Sequence, residues 1–230
     1  MSLALYRKYR PQGFSDVIGQ DHIVDVLSGA LKLGNISHAY LFAGSRGTGK
    51  TSIARIVARE IGTSSNDIYE IDAASNRGID DVRDIRESVH TYPFESKYKV
   101  YIIDEAHMLT KEAWNAFLKT LEEPAEGLYF ILLAPDVHQF LPTIRSRVQA
   151  VRFTALKYEE IRKISAAGKP VAVVQRTVAA SAGYMASVAG DRIFARKGTI
   201  TGSIGVLAQN AEVTELADKL GIKLQTFKSS

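Results

Sequence analysis

The chain has 230 residues, 46% of them hydrophobic and 23% charged, a globular composition with apolar material for one large domain or two small ones. Its net charge of +4 permits a polyanionic partner without requiring one. The absence of cysteine excludes disulfides and cysteine-ligated zinc, the five histidines lack the i, i+4 spacing of a zinc helix, and no apolar run approaches the roughly 20 residues of a membrane helix. The N-terminal MSLALYRKYRP does not read as a signal peptide, so the expectation is a cytoplasmic protein with no membrane partner.

LYRKYRP (5–11) is a short basic arm whose aromatics Tyr6 and Tyr9 call for burial, and Pro11 ends it. A helix follows over Asp21 to Leu33, with Ile23, Val26, Leu27, Ala30 and Leu31 as one apolar stripe and Gly34 as its stop. The apolar run AYLFA (39–43) then leads into GSRGTGKT (44–51) and a helix-like SIARIVARE (52–60) with Ile53, Ile56 and Val57 facing inward. This strand–loop–helix setting is what the phosphate-binding pattern GxxxxGK[ST] requires. Gly44, Gly49, Lys50 and Thr51 hold its fixed positions. The glycines let main-chain N–H groups turn toward a polyphosphate at a helix N-terminus. Lys50 adds charge at the β- and γ-phosphates, and the Thr51 hydroxyl is placed to hold Mg²⁺.

Beyond the polar connection GTSSND (62–67), IYEID reads as a strand, and DDVRDIRESV as a helix with Ile79, Val82, Ile85 and Val89 on one face. Arg83 and Arg86 on the other face, with Arg77 before it, fit either a solvated surface or phosphate contacts. KVYIIDEAH is a buried parallel strand (Val100 to Ile103) ending in Asp104 and Glu105, and open α/β sheets bind ligands at such carboxyl ends. The amphipathic KEAWNAFLKTLEE, with Ala113, Phe117, Leu118 and Leu121 inward and Trp114 a core residue, stops at Pro124. LYFILLA is a further buried strand, and LPTIRSRVQAVRF carries Arg145 and Arg147 into a short last one. Strands alternating with helices predict a parallel, doubly wound α/β sheet.

These motifs together resemble the AAA+ ATPase domain of the gamma/tau subunit of bacterial DNA polymerase III, the motor of the clamp loader. The matching stretches are LYRKYRP, DVIGQDH, HAYLFAGSRGTGKTSIARI, IDAASNRGIDDVRDIRE, YKVYIIDEAHMLTKEAWNAFLKTLEEP, PTIRSR and RFTAL, spanning residues 1 to about 160. The resemblance implies that ATP is held by Gly44, Ser45, Arg46, Gly47, Thr48, Gly49, Lys50 and Thr51, with Arg10, Val17 and Ile18 closing over the adenine. It implies that Thr51 and Asp104 hold Mg²⁺, that Glu105 orients or deprotonates the attacking water, and that Arg147 acts in trans as an arginine finger. The implied partners are the other clamp-loader subunits, the sliding clamp and primer-template DNA.

Two departures follow from the same resemblance. GTSSND stands where the family inserts a four-cysteine zinc module, so no zinc is expected. Pro135 stands at the polar sensor position after the LYFILLA strand, where it offers neither a side-chain hydrogen bond nor an N–H, and the neighbouring Asp136 would repel a γ-phosphate. ATP binding is therefore expected to be more secure than efficient hydrolysis.

From about Ala166 the chain changes character. GKPV, AASAGY, GDRIFA, GTITGSIGV and DKLGIK resemble, in order, the signal peptide peptidase A family, Ser–Lys proteases on a crotonase-like α/β fold. Ser181 is the implied nucleophile at the start of a small-residue helix (182–189). Lys228 matches the lysine of the family's KSG rather than the general base, so this stretch is expected to be a partial, inactive segment. The expected organisation is an AAA+ domain over 1–155, a junction over 156–165 and a peptidase-like segment over 166–230, a chimera without the family's lid and collar. The leading expectation is an ATP-hydrolysing clamp-loader motor in DNA replication. The alternatives are a truncated serine protease and a nucleotide-binding module without turnover.

Overall fold

The computed structural model describes residues 8–75, 85, 87–89, 91–175, 178–180, 182–197 and 199–202. Two compact units divide the chain, Met1–Val171 and Ala172–Ser230.

The first unit is built on five strands: β1 (Ala39–Ala43), β2 (Ile68–Asp72), β3 (Lys99–Asp104), β4 (Leu128–Ala134) and β5 (Gln149–Arg152). They form one sheet in the order β2-β3-β4-β1-β5, and every pairing in it is parallel. Its helices are α1 (Asp21–Lys32), α2 (Lys50–Glu60), α3 (Lys111–Glu122), the single turn α4 (Pro142–Arg145) and α5 (Tyr158–Ala166). Parallel strands put all their carboxyl ends on one edge of the sheet, and the interiors of the central strands are apolar because both faces are covered.

Side-chain alternation along each strand divides those two faces. Leu41, Tyr101, Ile103, Phe130 and Leu132 pack with Trp114, Phe117 and Leu121 of α3 and with the helical residues Ile85 and Val89. Tyr40, Phe42, Val100, Ile102, Ile131 and Leu133 pack on the opposite face with Ile23 and Leu27 of α1 and Ile53, Ala54 and Val57 of α2. The expected parallel α/β sheet is observed, and Trp114 is a core residue, 5% exposed and edge-on to Phe117 and Phe140. The expected stripe of α1 needs one correction. Val26 is 55% exposed, because the buried face of this helix is carried by Ile23 and Leu27 one turn apart.

Helix ends follow local chemistry. The Thr110 hydroxyl accepts the Ala113 N–H and caps α3. Gly34, at φ 65°, takes the left-handed position just past α1. The GTSSND connection forms a tight crossing into β2 around Asp67, which is fully buried. Its carboxylate accepts N–H groups of Phe94, Glu95 and Ser96 and the hydroxyls of Ser96 and Ser64.

In the second unit, β6 (Ala172–Gln175) runs parallel to β8 (Arg192–Ala195), and β7 (Val178–Ala180) runs parallel to β9 (Ile200–Gly202), with the short helix α6 (Ala182–Ser187) after β7. No helix among the described residues is long and apolar enough to cross a membrane.

Candidate functional site

The chain turns out of β1 directly into the loop 44–49. Gly44 donates its N–H to the Ala134 carbonyl at the end of β4, so the loop begins anchored to the middle of the sheet. Only glycine fits there, since a Cβ would lie 2.7 Å from the Phe153 carbonyl oxygen. Gly47 and Gly49 take φ 84° and 96°, and Gly49 is the N-cap of α2. Within the loop, the Thr48 hydroxyl donates to the Ser45 carbonyl at 2.9 Å. The buried Gln20 side chain ties the loop to the next strand's end, donating from Nε2 to the carbonyls of Thr48 and Thr154.

Lys50 folds over this loop, with Nζ 2.7 Å from the Gly44 carbonyl and 3.0 Å from that of Ser45. Burial pushes the ammonium below its ordinary range, while Asp104 and Glu105 act in the opposite sense. An ammonium held only by carbonyl oxygens at the start of a helix is poised to exchange them for phosphate oxygens. One residue on, Thr51 Oγ1 lies 3.5 Å from Asp104 Oδ2. A hydroxyl and a carboxylate converging from two elements are the hard oxygen donors that suit Mg²⁺. The other Asp104 oxygen accepts the Glu105 N–H at 2.9 Å.

Glu105 is the one non-glycine with positive φ among the described residues, at 48°. A left-handed glutamate is a local strain, and here it turns the chain sharply out of β3 and presents the side chain beside Asp104. Its Oε2 lies 3.5 Å from His107 Nδ1.

Two cavities share this loop. One, of about 430 Å³, is lined by Arg10, Arg46, Gly47, Gly49, Lys50, Thr51, Ser52, Asp72, Asp104, Glu105 and Pro135. The other, of about 310 Å³, has Tyr9, Pro11, Val17, Ile18, Gly47, Thr48, Gly49, Ile53, Leu156, Ile164, Lys169 and Pro170 among its lining residues. The first is charged and suits a polyphosphate, and the second is largely apolar and suits a ring. The structure thus gathers Arg10, Arg46, Lys50, Thr51, Asp104 and Glu105 at one cavity and Val17 and Ile18 at its neighbour.

Arg147 stands apart from both. Its Nε and Nη2 reach Glu122 Oε1 at 2.7 and 2.5 Å, and Nη1 reaches the Thr143 carbonyl at 2.6 Å. It lines a separate open cleft with Ser37, His38, Leu121 and Gln149. Pro135 follows β4, the strand between β1 and β3, and lines the charged cavity itself. Asp136 spends a carboxylate oxygen on the His138 N–H as a turn cap. Ser181, Lys228, Arg77, Arg83 and Arg86 lie outside the described residues.

Sequence reasoning missed Asp72 and the Leu156–Pro170 wall. Asp72 ends β2 opposite Asp104 in the register, so the carboxyl-end rule applied to Asp104 would have found it. The wall had no comparable signal.

This fold and its loop define a P-loop nucleotide-binding unit of the AAA+ type, the architecture of an ATPase family. Its particular likeness is to the gamma/tau subunit of bacterial DNA polymerase III. The DNA polymerase III subunit tau of Bacillus subtilis is 47% identical over 179 residues, covering 69% of this chain and 32% of the relative. A DNA polymerase III gamma subunit-related protein from Thermotoga maritima, known from its crystal structure, superposes with a TM-score of 0.52 at 29% identity, over 60% of this chain and 49% of that one. The Thermotoga maritima RuvB Holliday junction branch migration motor shares the fold, with a TM-score of 0.57 at 22% identity over 79% of this chain and 59% of that one.

Residues 62–157 match the model of the DNA polymerase III delta subunit family, and residues 163–230 match that of peptidase family S49. The chain spans about a third of the curated relatives it matches.

Proposed function

We propose that this chain carries the ATP-binding motor portion of a clamp loader of the gamma/tau kind, hydrolysing ATP during DNA replication. The observation that carries the reading is the convergence at one sheet edge of Lys50 on the loop carbonyls with the Thr51–Asp104 pair. A bare glycine-rich turn has no reason to place a hydroxyl against a carboxylate at the end of another strand.

In this reading the N–H groups of Ser45 to Gly49 and the Lys50 ammonium bind the triphosphate, and Arg46 and Arg10 offset its charge from the cavity rim. Thr51 and Asp104 would hold Mg²⁺, which when bound neutralises charge on the phosphate oxygens. Glu105 accepts a proton from the water that attacks the γ-phosphorus as the bond to the β-bridging oxygen breaks, giving ADP and phosphate. Val17 and Ile18 pack on the base. Arg147, held away from this chain's own cavity, would serve a neighbouring subunit in trans. The partners in this reading are other loader subunits, the sliding clamp and primer-template DNA, in the cytoplasm.

The proposed organisation keeps 1–155 as the AAA+ domain, 156–165 as the junction and 166–230 as a partial peptidase-like segment, two ancestries in one chain. The likeness of residues 163–230 to peptidase family S49 supports that last part as ancestry.

ATP affinity of the parent and of Lys50→Ala, measured by calorimetry, tests the reading. Loss of at least about tenfold is expected when this charge-assisted contact goes. Equal affinity in the two proteins would sink it.

A further inference from the structure

One wall of the ring-binding cavity comes from an unexpected part of the chain. Helix α5 ends at Ala166, and Gly168, at φ 72°, reverses the backbone so that Lys169 donates its N–H back to the Ile164 carbonyl. The turn brings Lys169 and Pro170 to the same cavity as Tyr9, Val17 and Gly49. All of these residues belong to the compact unit that ends at Val171. Yet the stretch from 163 onward matches a peptidase family, whose chemistry has no use for a nucleobase.

The charges of this cavity are few. Lys169 is the cation among its lining residues and Asp16 the anion. The Asp16 carboxylate is committed to the N–H groups of Gln12 and Gly13, at 3.0 and 3.2 Å. Those donors first, and the Lys169 ammonium last, hold it below its ordinary range, and Asp16 and Lys169 both line the cavity. Gln20 is likewise committed, its amide holding the main chain of Thr48 and Thr154. Lys169 is therefore the charged donor that a ring entering this apolar space would meet.

We propose that the Gly168–Lys169–Pro170 turn is a base-recognition wall, with Pro170 against the face of a bound purine and Lys169 donating to an acceptor on the ring edge. The inference rests on the nucleotide reading above and adds to it the residues that read the base. A sequence stretch of foreign ancestry thus closes a site that the phosphate loop opens.

The test compares two probes on the full chain, ATP and inorganic tripolyphosphate, each with Mg²⁺. Tripolyphosphate reaches only the phosphate cavity, so a base wall is silent to it. Lys169→Gln and Pro170→Gly are each expected to weaken ATP about fivefold, the loss of one hydrogen bond or one apolar contact, while tripolyphosphate affinity stays within about twofold. Lys50→Ala weakens both probes. Unchanged ATP affinity in both wall variants, or equal loss on both probes from general charge or folding effects, overturns the wall alone. A parent chain that binds neither probe overturns the nucleotide reading and the wall together.

Discussion

The Thr51 hydroxyl stands 3.5 Å from an Asp104 carboxylate oxygen, joining positions 53 residues apart in the chain. Thr51 is fixed by the first turn of α2 and Asp104 by the last residue of β3, so neither needs to move to share a cation. Replacing Asp104 by Asn keeps the shape and removes the charge. ATP affinity without Mg²⁺ should change by less than about threefold, whereas the gain in affinity on adding Mg²⁺ should fall about tenfold. Paired calorimetric titrations with and without Mg²⁺ read both quantities, and an undiminished Mg²⁺ effect would remove Asp104 from the site.

Asp67 gives the fold a dependence on acid. Its burial opposes the charged form, but the Ser96 hydroxyl and three N–H groups outweigh that and hold the carboxyl well below the usual carboxylate range. A group whose folded value is depressed stabilises the fold above its unfolded value, near 4, and loses that contribution as pH falls toward the folded value. Unfolding by urea should therefore show stability declining below about pH 4. Asp67→Asn should cost about 2 kcal/mol at neutral pH and flatten that decline. A variant with the parent's full acid sensitivity would assign the effect elsewhere.

Pro135 lines the proposed phosphate cavity at the carboxyl end of the strand between β1 and β3. It can neither donate a main-chain N–H nor offer a polar side chain to a γ-phosphate. Pro135→Thr supplies both. Phosphate release should rise several-fold, on the order of one added transition-state hydrogen bond, with ATP affinity little changed. Turnover that stays at the parent's rate would show that something other than this position limits hydrolysis.

Arg147 and Glu122 make a short ion pair, but their side chains are 32% and 45% exposed. Water screens such a pair, so Glu122→Gln should change the unfolding free energy measured by chemical denaturation by less than about 1 kcal/mol. Arg147→Ala should leave ATP affinity of the isolated chain unchanged, since the guanidinium lines a different cleft. Under the proposed function its loss should appear only as slower turnover in a mixed assembly with clamp-loader subunits, and a binding defect in the isolated chain would contradict action in trans.

Much of the candidate site could be read from residues alone. The spacing of Gly44, Gly49, Lys50 and Thr51 prescribes a local backbone path, and Gly49 takes the positive φ that such a path demands. The buried apolar runs named the strands for the same reason, since residues covered on both faces have no polar positions to spare. Trp114 went inward with the rest of its helix stripe. Val26 did not, because how wide a stripe is buried depends on the partner that covers it.

What sequence by itself determined is therefore the chemistry tied to short-range backbone geometry: the phosphate loop, the strand ending in Asp104 and Glu105, and the change of character near Ala166. Tertiary structure decided the rest. The strand order β2-β3-β4-β1-β5 sets Pro135 between the loop and Asp104 and brings Asp72 into the cavity, although the chain visits these strands in another order. Packing of α5 and its terminal turn made Lys169 and Pro170 neighbours of Val17, and chain crossings made Asp67 the anchor of the 94–96 loop and Glu122 the partner of Arg147. Such pairings rest on contacts between residues far apart in sequence, fixed by which faces bury against which, and no local spacing encodes them.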